Sequence, residues 1–209
     1  MLPARPRASH PAPVVAAAIA AFAVAVFALY PGFYTFDSAY QLYQARTGEY
    51  HSLQPPPMTL AWAGLLAIGL PPGALLVVHF AALCAGAALL GLSLSGPWRV
   101  IAPLVVLWPP FLALFGHLLI DVSLAASLLL VTGWIAWTRA TGRAALGWWA
   151  AIPLAYAVGV RHNALFAVPP LLFLLLAAKS PFPRGTLASI AIAVGLTAAA
   201  FGAWNVVSR

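Results

Sequence analysis

Few side chains in this sequence can do acid–base or anion chemistry, and they fall in three short stretches. The first, FYTFDSAYQLYQARTGEYHSLQPPP (Phe33 to Pro57), carries Asp37, Glu49, His51 and Gln54. The second, GHLLIDVS, carries His117 and Asp121, and the third, VRHN, carries Arg161, His162 and Asn163. Asp37, Glu49 and Asp121 are the chain's full set of 3 acids. A carboxylate at the edge of an apolar region can act as a general base. A guanidinium presents planar, paired donors that match a phosphate. Each residue also has a plainer role. Asp37 can cap a helix, Arg161 can snorkel to lipid headgroups, and His162 and Asn163 can close a helix joint.

Spacing says which elements must carry these groups. Phe36, Ala39, Tyr40 and Tyr43 fall at i, i+3, i+4 and i+7, the stripe of an amphipathic helix. Gly48 is placed to end that helix in a left-handed conformation. The stripe predicts a helix lying on a membrane with its aromatics toward lipid. His117 and Asp121 are four apart and predict a shared helix face, with two metal ligands at most. His79 lies inside an apolar run, where an interhelical hydrogen bond is expected. The sequence requires no cofactor, and a divalent metal held by Asp121 is compatible with it.

The rest of the chain is apolar. It is 64% hydrophobic and 6% charged, against about 25% charged in soluble domains. A water-facing surface cannot be built from so few charges, so the composition predicts an integral, all-α membrane protein. Spanning β-strands would alternate in polarity, and these runs are apolar all round. The net charge of +7 comes from basic residues scattered in ones and twos, which excludes a nucleic-acid stripe. Cys84 is the single cysteine, so no intrachain disulfide forms. Arg5 and Arg7 precede the run Val14–Tyr30, which exceeds the about 7–15 residues of a signal core and ends in bulky residues. It reads as an uncleaved first helix.

Further apolar runs cover residues 57–70, 73–94, 100–116, 118–137, 146–160, 164–178 and 187–207. Between Pro57 and Pro71 lie 13 residues, a reach of about 20 Å against a hydrocarbon core of about 30 Å. Laid flat at the outer interface, that stub puts Arg5, Arg7, Arg99, Arg139, Arg143, Lys179 and Arg184 on the cytoplasmic side, as the positive-inside rule prefers. The expectation is about seven transmembrane helices with the N-terminus inside. Residues 1–12 are a cytoplasmic tail and 13–209 a single polytopic domain, whose external loop, 31–72, carries short juxtamembrane helices. Asp37, Glu49, His51, His117, Asp121, Arg161 and His162 then share the outer face.

The segment YPGFYTFDSAYQLYQARTGEYHSLQPPPMTLAWAGLL resembles the first external loop of polytopic GT-C glycosyltransferases, of the protein O-mannosyltransferase and aminoarabinose-transferase types and their uncharacterised bacterial branch. WPPFLALFGHLLIDVSLAASLLL is similar to their second external loop, and VGVRHNALFAVPPLL to a segment common in the bacterial members. The resemblance implies that Asp37 is the catalytic base and that Asp121 orients the acceptor or helps bind metal or donor phosphate. It makes Arg161, with His162 and Asn163, the site of the phosphate of a polyprenyl-phosphate sugar, and Glu49, His51 and Gln54 acceptor-side groups. Two positions depart from the pattern: Gln54 stands where the family has His, and Ile120 where bacterial relatives often have Lys. The implied protein is a multi-pass enzyme of the bacterial inner membrane that transfers a sugar, with inversion, to an extracytoplasmic glycan, lipid or protein, with no nucleic-acid partner. The alternatives are a non-catalytic or truncated membrane subunit, since the resembled enzymes are longer, and a transporter. Transporters place ionisable groups near the bilayer midplane, and here they gather at the interfaces.

Overall fold

A computed structural model describes residues 10–50, 56–161, 164 and 166–176. Every regular element among them is helical. Three helices are long and apolar enough to cross a membrane: α1 (Ala12–Leu29), α4 (Ala74–Ser93) and α7 (Ile120–Ala140). A fourth span is made if α5 (Trp98–Leu104), with the 3-10 turn that follows it, and α6 (Pro109–Phe115) are counted as one, bent by 52°. Such helices mark a membrane protein, and their outward faces fit lipid, with Phe27 of α1 93% exposed. The run expected as one straight span over 100–116 is broken, and the prolines explain it. Pro103 lies within α5, Pro109 and Pro110 open α6, and Trp108 between them is extended at φ −61 and ψ 128, the conformation a following proline favours.

The stub after Pro57 forms α3 (Pro56–Ala67), only 12 residues and about 18 Å long. Trp62 holds it in place. Its ring is fully buried, its Nε1 donates to the Pro72 carbonyl at 2.9 Å, and Tyr34 stacks on it. The surface helix α2 (Phe36–Thr47) lies against α3, and α8 (Ala151–Val160) runs back along α7, with α9 (Val168–Leu176) following. The seventh run expected from the sequence, 187–207, lies outside the described residues.

Close approaches fix the helix directions. At Gly73 a Cβ would meet Pro31 at 2.8 Å, and at Gly91 it would meet Val14 at 3.2 Å, so α1 and α4 are antiparallel. His79 contacts Ser123 and Gly86 lies against Leu130, so α4 and α7 run parallel. Gly86 and Gly133 let those two backbones touch, the small-residue packing used where lipid supplies no hydrophobic drive. The start of α7, the end of α1, the start of α4 and the end of α8 therefore share one end of the bundle. Arg99, Arg139 and Arg143 lie toward the opposite end, where Arg143 stacks over Trp137 at 5.5 Å.

Candidate functional site

Three contacts draw the three polar stretches together. The first is a two-residue bridge: the Phe33 N–H donates to the Gly116 carbonyl at 2.8 Å and the Leu118 N–H donates to the Phe33 carbonyl at 3.1 Å. It ties the loop after α1 to the loop before α7, four residues from Asp37 on one side and four from Asp121 on the other. The second is an ion pair, Arg161 Nη2 to Asp121 Oδ2 at 2.7 Å. The third is Pro57 at the start of α3, against Gly159 near the end of α8, where a Cβ would meet the proline ring at 2.9 Å. Asp37, Asp121 and Arg161 thus belong to segments joined at one end of the molecule.

The local sequence explains each placement. Thr35, not Asp37, caps α2: Thr35 Oγ1 accepts from the Ser38 N–H at 3.3 Å, and Ser38 Oγ accepts from the Thr35 N–H at 2.7 Å. This reciprocal pair does the work of a capping box. Asp37 becomes the second residue of the helix, exposed, where the helix dipole favours its charge. Gly48 ends α2 at φ 74, as the spacing predicts. The aromatic stripe faces away from the protein, with Phe36 86% exposed. The fully buried residues on the inward face of α2 are polar, Ser38, Gln41 and Gln44, with Leu42 and Ala45 packed beside them on the core, and Thr59 of the adjoining α3 is buried too. Both amide atoms of Gln41, Nε2 of Gln44 and Oγ1 of Thr59 are buried without a hydrogen-bond partner among the described residues.

Glu49 accepts a hydrogen bond from the Tyr43 hydroxyl at 3.0 Å. That bond and the adjacent carboxylate charge raise the Tyr43 hydroxyl above the usual phenol range. Asp121 is the second residue of α7. His117 does not share its helix face, because α7 begins only at Ile120. His117 instead lies in the bridge, its Nδ1 at 2.9 Å from the Ala113 carbonyl and its ring beside Phe33. Gly116 and the Pro109–Pro110 helix before it break the continuity that the four-residue spacing assumed. Among the described residues no three histidines, cysteines or acids gather as metal ligands. His51, Gln54, His162 and Asn163 lie outside the described residues.

One polar group was only half legible. His79 meets a partner across the helix interface, as expected of a histidine in an apolar run. The partner is Ser123, whose Oγ lies 2.6 Å from Nε2 and 3.3 Å from the Tyr156 hydroxyl. Ser123 and Tyr156 carry no signal in the sequence, because their meeting depends on the register of α4, α7 and α8. No family model, curated protein or solved structure matches this chain.

Proposed function

We propose that the protein is a membrane glycosyltransferase of the GT-C type, with about seven spans and its N-terminus in the cytoplasm, in the bacterial inner membrane. The observation that carries this reading is the joining of the three motif stretches at one end, with Asp121 and Arg161 in contact. A lipid-borne sugar lies in the bilayer with its headgroup at the interface, where these groups gather. Asp37 takes the proton of the acceptor hydroxyl while its oxygen attacks the anomeric carbon. The bond to the lipid phosphate breaks, and Arg161 holds the leaving charge. A single displacement inverts the anomeric centre. The resemblance assigns His162 and Asn163 to the phosphate site, and Glu49, His51 and Gln54 to the acceptor. The sharpest alternative is a non-catalytic membrane subunit, in which the same contacts only hold the loop.

The test is Asp37→Asn, assayed for sugar transfer from a polyprenyl-phosphate donor in membranes. Loss of a general base lowers the rate about 10²–10⁴-fold. Asp37 is exposed and does not cap α2, so membrane abundance is expected to hold. Transfer at the parent rate removes the base assignment.

A further inference from the structure

Beneath the Asp121–Arg161 pair, α3, α4, α7 and α8 enclose a cavity of about 450 Å³, within the range of small-molecule sites. Among the described residues its walls are apolar, with Leu65, Ala126 and Leu130 among them, except where His79, Ser123 and Tyr156 meet and at Ser127, whose hydroxyl already donates to the Ser123 carbonyl at 2.8 Å. Val78 and Ile152 at its lining are 47% and 63% exposed, so among the described residues it opens sideways between α4 and α8. Ser123 lies two residues beyond Asp121 and Tyr156 five before Arg161, about 3 and about 8 Å along their helices. Ser123 and Tyr156 thus sit about half a turn and about one and a half turns below the end of the bundle.

The trio's protons limit what it can bind. Ser123 is the shared node and has one hydroxyl proton for two neighbours. Assigning the imidazole proton to Nε2 makes His79 donate to Ser123 and Ser123 donate to Tyr156, and leaves Nδ1 a buried acceptor without a partner among the described residues. The Tyr156 proton is then left for a ligand, at the end of a mutually polarised chain. One donor in an apolar cavity matches a ligand with one acceptor and a long apolar tail. We propose that this cavity binds an ester-linked glycerolipid, with Tyr156 donating to an ester carbonyl and the acyl chain filling the space between α4 and α8. A polyprenyl chain is hydrocarbon and offers no acceptor along its length, so the polar trio is unexplained by the donor lipid's tail. The proposal does not rest on sugar transfer, and Asp37→Asn leaves it unchanged.

The full-length protein in detergent is challenged with diester and diether phosphatidylglycerol of identical chains, and bound lipid is read by native mass spectrometry. One hydrogen bond corresponds to about fivefold tighter retention of the diester. Tyr156→Phe, which keeps the ring, is expected to bring the two lipids level. Ala126→Phe, which fills the cavity, is expected to displace both. Equal retention of diester and diether by the parent protein overturns the proposal without any variant. So does a preference that survives Tyr156→Phe, or displacement of the diester by polyprenyl phosphate at equal concentration, which would give the cavity to the donor's tail.

Discussion

Arg161 uses one amino group, Nη2, on Asp121, and the two side chains are 42% and 56% exposed. A pair so open to solvent contributes about 0–1 kcal/mol to folding. Under the proposed function, its value lies in holding the guanidinium at the end of α8 for the donor phosphate. Asp121→Asn is therefore expected to leave the protein as abundant in membranes as its parent. Arg161→Gln should lower transfer about 10²-fold or more, the scale seen when a transition-state donor is removed. Arg161→Lys should fall between, since it keeps the charge and loses the paired donors. Equal rates for the lysine and glutamine variants, measured with a polyprenyl-phosphate sugar, would show that the planar fork is not what matters.

Between elements, closeness is set by glycine. At Gly86 a Cβ would come within 2.6 Å of the α7 backbone at Leu129 and Leu130. At Gly64 in α3 nothing lies within 4 Å. Gly86→Ala is expected to destabilise the detergent-solubilised protein by about 1–3 kcal/mol, because two packed backbones must part. Gly64→Ala should be neutral or stabilising by up to about 1 kcal/mol, since alanine is the better helix former. Thermal unfolding of the two variants side by side checks this, and equal melting temperatures would contradict the packing of α4 on α7. The elements themselves were largely readable. Run lengths found α1, α4 and α7, and the prolines at 57 and 71 found a stub too short to span. The 52° break at Trp108 was missed, because hydropathy runs unbroken from 100 to 116 through Pro109 and Pro110 and carries no sign of a bend.

For the molecule as a whole, charge and length carried more information than motif. Scattered arginines and a short stub sufficed to expect Asp37 and Asp121 together, and the bridge through Phe33 joins their segments. The Arg161 contact to Asp121 was not legible, because it depends on how far α8 runs back along α7. The same holds for His79 with Ser123, where a parallel register brings together residues 44 apart in sequence. One arrangement underlies the proposed function: the loop carrying Asp37 and the start of α7 face one side of the membrane, and the arginine-bearing turns face the other. Single cysteines at the exposed positions Thr47, Asp121, Ser95 and Thr141, placed in a chain with Cys84 replaced by serine, report it through an impermeant thiol reagent added to intact cells. The first two are expected to label and the last two only after the membrane is opened. Labelling of Thr47→Cys and Asp121→Cys from opposite sides would contradict the account at its root.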